Sequence, residues 1–237
     1  MQQQEPVNPE APNPQRPVVQ RMRVRYAKRG RLRFTSHRDF ARAFERAVRR
    51  AGIPIGFSSG FSPHPKISYA NAAPTGTGSE AEFLEIGLTE ERDVDEVREA
   101  LDAALPPGLD IVDIVQAGPG SLADRLEASE WRIELPGSEP TELAAAVATF
   151  LAADAVTVDR MTKRGMRAID VRGAVVLLQT RGDAVFAVVR ATVPTVRPDD
   201  IIAALREKGL GATGTPVAQR LQQGPLRGTA VGDPLRD

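Results

Sequence analysis

Hydrophobic and polar positions alternate from Met22 onward. Met22, Val24 and Tyr26 fall on one side, and Arg21, Arg23 and Arg25 on the other, the period-2 pattern of a half-buried strand with an arginine face. Lys28-Arg29-Gly30 predicts a turn, after which Arg31-Leu32-Arg33-Phe34 resumes the alternation. The period then changes. Phe40, Ala43, Phe44, Ala47, Val48 and Ala51 recur at helical spacing, with Ser36 as cap, Asp39 three residues on, and Gly52 as stop. Arg38, Arg42, Arg46, Arg49 and Arg50 lie off that apolar face. Residues 53–66 are too rich in Gly, Pro and Ser for a regular element and predict a functional loop. Strands follow around Ile67–Ala70 and Phe83–Leu88, then a helix over 93–105 and a strand from Leu109 to Val115.

The second half repeats this order. Trp131, Ile133 and Leu135 alternate as a strand, Glu142 to Leu151 has one apolar helical face, and four strand-like runs occupy 155–191. Pro198 opens another helix at its favoured first position, and Val217 to Leu221 closes the sheet. The expected fold class is therefore α+β: two tandem ferredoxin-like β-α-β-β-α-β units with antiparallel sheets. The expected boundaries are a disordered Pro-rich arm at 1–20, a first domain at 21–118, a second at 119–220, and a flexible tail at 221–237.

Charge sharpens this picture. Lys+Arg and Asp+Glu are equal at 31 each, yet they are segregated along the chain. Residues 1–75 carry a net charge of +10, residues 76–160 a net of −15, and residues 161–237 a net of +5. A basic block beside an acidic one suits a polyanion or an acidic partner. With no Cys, the chain cannot itself hold an iron–sulfur cluster, a catalytic thiolate or a disulfide. No apolar run is long enough to span a bilayer, and the polar N-terminus has no apolar core like that of a secretory signal. The expected location is cytoplasmic, with no membrane partner.

Three segments carry candidate chemistry. Ser36-His37-Arg38-Asp39 opens a helix, where free N–H groups and the positive dipole end suit an anion. Gly60-Phe61-Ser62-Pro63-His64-Pro65-Lys66 holds an imidazole between two prolines with a lysine behind it. Lys163-Arg164-Gly165-Met166-Arg167, continued by Asp170 and Arg172, is a basic hairpin on the second half. The expected anion-binding or nucleic-acid-binding set is Arg23, Arg25, Arg33, Ser36, His37, Arg38, Arg42, His64, Lys66, Lys163, Arg164, Arg167 and Arg172. No metal site is expected. His37 and His64, the two histidines of the chain, are the catalytic candidates.

Arg23-Val24-Arg25-Tyr26, Leu32-Arg33-Phe34-Thr35-Ser36-His37-Arg38-Asp39, Gly60–Ser68 and Ser79-Glu80-Ala81-Glu82 together resemble the radical SAM-linked protein family. That family is an uncharacterised domain found alone or fused behind radical S-adenosylmethionine enzymes with a cobalamin-type domain. The 163–172 segment is similar to its second basic block but has Gly173 where a proline is expected. The Leu-Arg-Phe-x-Ser-His-x-Asp stretch also resembles the ferredoxin-like RNA-processing proteins of CRISPR systems. The resemblance implies a radical SAM enzyme as partner. That partner would carry the iron–sulfur cluster and S-adenosylmethionine, with no cofactor on this chain. Charge and resemblance together point to a non-catalytic accessory protein that binds RNA, tRNA or rRNA, and presents it to that enzyme. The alternatives are a metal-independent ribonuclease using His37 and His64, with Lys66 or Arg38 stabilising the phosphorane, and an adaptor whose basic face docks an acidic enzyme.

Overall fold

The computed structural model describes residues 16–162, 165–211 and 214–236. It is a mixed α+β protein of antiparallel sheets with four α-helices among the described residues. It divides into two compact units, with the boundary between Asp124 and Arg125.

In the first unit the chain runs β1 (Gln20–Lys28), α1 (His37–Arg50), β2 (Ile67–Ala70), β3 (Gly78–Leu88), α2 (Val94–Ala104) and β4 (Ile111–Gln116). β1 lies between β3 and β4, pairing Val24 with Leu84 and Ile114, and β2 joins the other side of β3 through Tyr69 and Leu84. Each of these pairings is antiparallel. Met22, Val24, Tyr26, Leu84 and Ile86 are buried against Phe40, Phe44, Ala47 and Val48 of α1 and Val97 and Leu101 of α2. Tyr26 and Phe40 stack with centroids 4.0 Å apart and planes 3° from parallel. Burying a side chain of this size contributes about 1.5–3 kcal/mol. α1 begins where expected: the Ser36 hydroxyl accepts the Asp39 N–H at 3.2 Å.

Two expectations for this unit fail. Gly30–Phe34 is a 3₁₀ turn, not a resumed strand. β1 ends where Arg29 donates its N–H to Gly108 at 2.8 Å and its guanidinium is held by Glu80 and Asp110. With Arg29 anchored there the chain turns, and Thr35 closes the turn onto the Leu32 carbonyl at 3.0 Å. The arginine face of β1 is also mostly closed to solvent, with Arg21 exposed but Arg23 and Arg25 covered. Arg23 is 1% exposed, donates to the Gly118 carbonyl at 3.0 Å and to that of Gly120, and pairs with Glu85 at 3.3 Å. Arg25 is half-buried and donates to the Glu80 carbonyl at 2.8 Å. Residues 16–20 of the expected arm are attached, Val19 donating to Leu88 at 2.8 Å and Arg16 pairing with Glu90 at 3.4 Å. The rest of that arm lies outside the described residues.

The second unit runs β5 (Ala128–Glu134), α3 (Pro140–Ala152), β6 (Thr157–Thr162), β7 (Gly165–Asp170), β8 (Val175–Arg181), β9 (Ala184–Arg190), α4 (Pro198–Glu207) and β10 (Val217–Gly224). β5 pairs antiparallel with β10 and β9, and β9 with β8. β6 and β7 form a separate two-stranded hairpin. Trp131, Ile133, Phe150, Ile169, Val185, Ile201 and Leu205 belong to one core. The hairpin is tied to α4 by Arg160, which meets Asp200 at 2.6 Å and the Thr195 carbonyl at 3.1 Å. The expected flexible tail is not loose throughout. Residues 221–224 complete β10, Leu226–Arg227 pairs with Ala230–Val231, and Leu235 is buried.

Arg23→Ala should destabilise the protein by about 1–3 kcal/mol, because it takes the donor from two carbonyls and leaves Glu85 with Arg21 as its one remaining arginine. Urea unfolding measures this, and a change below about 0.5 kcal/mol would contradict the structural role.

Candidate functional site

Most arginines of the first unit sort into two groups, while Arg25, Arg49 and Arg50 donate to the backbone carbonyls of Glu80, Glu45 and Ala104. Arg16, Arg21, Arg23, Arg29, Arg92 and Arg98 are ion-paired with carboxylates. Arg31, Arg38, Arg42 and Arg46 are exposed and, among the described residues, have no carboxylate partner. Arg33 is half-buried beside them, its guanidinium 4.8 Å from the Phe34 ring centroid. Spacing by four places Arg38, Arg42 and Arg46 on one stripe of α1, opposite Phe40, Phe44 and Val48. Like charges at that spacing cost a helix about 0.2–0.5 kcal/mol per pair. Asp39 and Glu45, three residues either side of Arg42, offset part of that cost. Arg46, with Arg42, Arg49 and Arg50 at i−4, i+3 and i+4, bears the remainder. The stripe therefore presents a row of bidentate anion donors at a small net cost to the helix.

Ser36 and His37 stand at the start of this stripe. The Ser36 hydroxyl is already engaged, donating to the Asp39 carboxylate at 2.6 Å while accepting its N–H. The His37 ring meets Tyr69 edge-on at 4.8 Å. The Tyr69 hydroxyl is buried and has no hydrogen-bond partner among the described residues. Burial, and then the nearby Glu45 carboxylate, hold its phenol above the usual tyrosine range.

His64 sits elsewhere along the same helix. The loop that carries it is closed by Ser58, whose N–H donates to the His64 carbonyl at 2.8 Å and whose hydroxyl accepts the His64 N–H at 3.0 Å. Phe57 bridges to Pro65 across the base. His64, Phe57 and Ile67 line a hollow of about 210 Å³ with Glu45, Val48 and Arg49 of α1. His37 is in the first turn of α1, and the Glu45–Arg49 stretch lies about 12–18 Å further along at 1.5 Å per residue. This spacing lends no support to the two imidazoles working on one phosphate. Lys66 is half-buried behind the loop, its N–H donated to Gly56 at 2.7 Å.

Of the expected basic set, Arg33, Ser36, His37, Arg38 and Arg42 follow one another along the turn into α1 and its first half, while Arg23 and Arg25 are taken into the sheet. In the second unit, Arg167 is exposed on β7, across from Arg160. Arg172 turns inward, donating to the Leu151 carbonyl at 3.3 Å with its guanidinium 6.0 Å from the Phe150 centroid. Its position there packs the end of α3, and no pairing with Asp170 forms. Asp170 accepts the Gly173 N–H at 3.0 Å, and a Cβ at 173 would fall 2.4 Å from that carboxylate, which accounts for a glycine there. Lys163 and Arg164 lie outside the described residues. Among the described residues no group of His, Asp and Glu is arranged to hold a metal, and no helix is long and apolar enough to cross a membrane.

The sequence reading missed Arg31, Arg46, Phe34 and Phe61. Phe34 is 59% exposed and Phe61 95% exposed. Phe61 had a visible cue: a lone ring within Gly-Phe-Ser-Pro has no apolar neighbour at strand or helix spacing. Phe34 had none, because its alternation with Leu32 imitates a strand.

The fold and this surface define a mixed α+β protein with an arginine-rich face on its first unit. The chain belongs to the family described as "Uncharacterized protein conserved in bacteria (DUF2344)", which matches residues 21–198. No curated protein matches it. The crystal structure of an unknown protein from Galdieria sulphuraria is similar at 15% identity over 85% of this chain and 98% of that one, with a TM-score of 0.26. Likeness at that level carries no argument.

Arg46→Glu replaces repulsive pairs with Arg42, Arg49 and Arg50 on α1 with attractive ones and should stabilise the protein by about 1 kcal/mol. Thermal unfolding reads this as a rise of a few degrees; an unchanged or lower midpoint would show that the stripe carries no strain.

Proposed function

We propose that this protein binds RNA, tRNA or rRNA, through the first unit and presents it to an enzyme partner without catalysing a reaction itself. The observation that carries the reading is the unpaired stripe of Arg38, Arg42 and Arg46, with Arg31 and Arg33 beside it, in a unit whose other arginines are mostly paired. Phosphates would supply the carboxylate-like partners that the chain withholds there. His37 extends the row, and the exposed Arg167 supports a second contact from the β6–β7 hairpin.

Within the same proposal, each unit is ferredoxin-like. This is supported by the sheet orders β4-β1-β3-β2 and β10-β5-β9-β8, with the β6–β7 hairpin as an insertion in the second. The partner is a radical SAM enzyme that holds the cluster and S-adenosylmethionine, a reading that rests on the sequence resemblance. Location in the cytoplasm belongs to the same proposal.

Fluorescence anisotropy with bulk tRNA at two salt concentrations tests the RNA contact. Affinity should fall steeply with salt, and Arg38→Ala/Arg42→Ala/Arg46→Ala should lower the slope of log K against log salt by about 2–3. Salt-insensitive or undetectable binding at low ionic strength would overturn it. A partner retained from nuclease-treated lysate by wild type and lost with the triple variant would point to the adaptor instead.

A further inference from the structure

We infer that the RNA recognised by this face is single-stranded, with bases stacked on Phe61 and Phe34. The inference rests on the RNA reading above and specifies the form of nucleic acid the site takes.

An apolar ring left in water is unfavourable, so its placement needs a reason. Phe61 is 95% exposed, yet its loop is built to hold it there. Ser58 grips both the N–H and the carbonyl of His64, and Phe57 bridges Pro65, so the tip from Ser59 to Pro63 is closed at its base. Gly60, with φ of +125°, supplies a turn in which other residues are strained, and Pro63 stiffens the return. Pro63, His64 and Pro65 then line one hollow with Glu45, Val48 and Arg49 of α1. Phe61 is thereby carried on a braced tip next to the C-terminal half of the arginine-bearing helix.

Phe34 occupies the corresponding place at the other end. It closes the 3₁₀ turn that leads into α1, is 59% exposed, and carries the Arg33 guanidinium 4.8 Å from its centroid. At one edge of the ring the chain passes as Gly76, where a Cβ would lie 3.8 Å from it, and the Arg33 guanidinium covers one face, leaving the other for a base. Two exposed rings thus stand on the segments at either end of α1: Phe34 in the turn that leads into it, and Phe61 in the loop whose His64 shares a hollow with Glu45 and Arg49. Positive charge along a track with aromatic platforms beside it is how single strands are bound: phosphates meet the charges and unstacked bases meet the rings. A duplex keeps its bases stacked and offers the rings nothing. Composition conceals this, because aromatics are only 5% of the chain; what counts is that two of the eight phenylalanines are presented outward.

The test is anisotropy with one fluorescein-labelled 12-nucleotide RNA, free and annealed to its complement, at two salt concentrations. Wild type should prefer the single strand. Phe61→Ala should weaken single-strand binding by about 5- to 150-fold, and Phe34→Ala by a similar factor, leaving duplex affinity and the salt slope unchanged. Both positions are on the surface, and thermal unfolding of the variants checks the fold; Phe61→Leu, which keeps apolar bulk without a ring face, should fail to restore binding. If the phenylalanine variants bind the single strand as wild type does while the arginine triple variant loses salt-dependent binding, stacking is overturned and the RNA reading stands. If wild type binds neither RNA form, both fall. If wild type binds neither form but Phe61→Ala abolishes binding to phosphatidylserine-containing vesicles, the rings serve a lipid surface and this proposal is wrong.

Discussion

The stacking of Phe40 on Tyr26, centroids 4.0 Å apart and almost parallel, sets the rotation of α1 on the sheet of the first unit. Phe44, Ala47 and Val48 follow that ring into the core because they share its helical face. Once they are inside, Arg38, Arg42 and Arg46 have no choice but to face water. The same rotation puts His37 edge-on to Tyr69 and aims Glu45, Val48 and Arg49 at the His64 loop. A single aromatic contact between β1 and α1 thus orients the candidate residues that α1 carries.

Pairing then separates structural from available charge. Arg23 and Arg29 are both on or beside β1, yet each is consumed by carboxylates and carbonyls brought from far along the chain. Their removal would leave buried or convergent acceptors without donors. The stripe on α1 has the opposite character. It makes no ion pair among the described residues and carries a small repulsive cost that a purely structural helix would relieve with a few glutamates. Arginines that cost stability and hold nothing together suit a ligand that arrives from outside.

Much of the fold could be read from periodicity. The period-2 run at Met22–Tyr26 and the helical run at Phe40–Ala51 correspond to β1 and α1, and Ser36 caps α1 as its position suggested. The errors have identifiable causes. Leu32 and Phe34 alternate like a strand, but Arg29 is locked to Glu80 and Asp110 and the chain turns before a strand can continue. Residues 226–231, Leu-Arg-Gly-Thr-Ala-Val, are too short to show a period, yet they pair as a short hairpin. Within the candidate site, Ser36, His37, Arg38 and Arg42 were legible as a helix start. Phe61 was legible only as part of a motif, and Phe34 was hidden by its false alternation.

Local pattern alone determined the longer strands and helices, where α1 starts, and that positive charge concentrates before residue 76. These follow from side-chain period, capping chemistry and composition, all of which act over a few residues. Tertiary structure alone decided which arginines are spoken for. The partners of Arg23 lie 62 and 95 residues away, at Glu85 and Gly118, and those of Arg29 lie 51 and 81 away, at Glu80 and Asp110. Strand alternation placed Arg23 correctly on the face opposite Met22 and Val24 but could not reveal that the chain returns to cover it. Burial and ion pairing are properties of what the fold brings together at long range, and no local period encodes them.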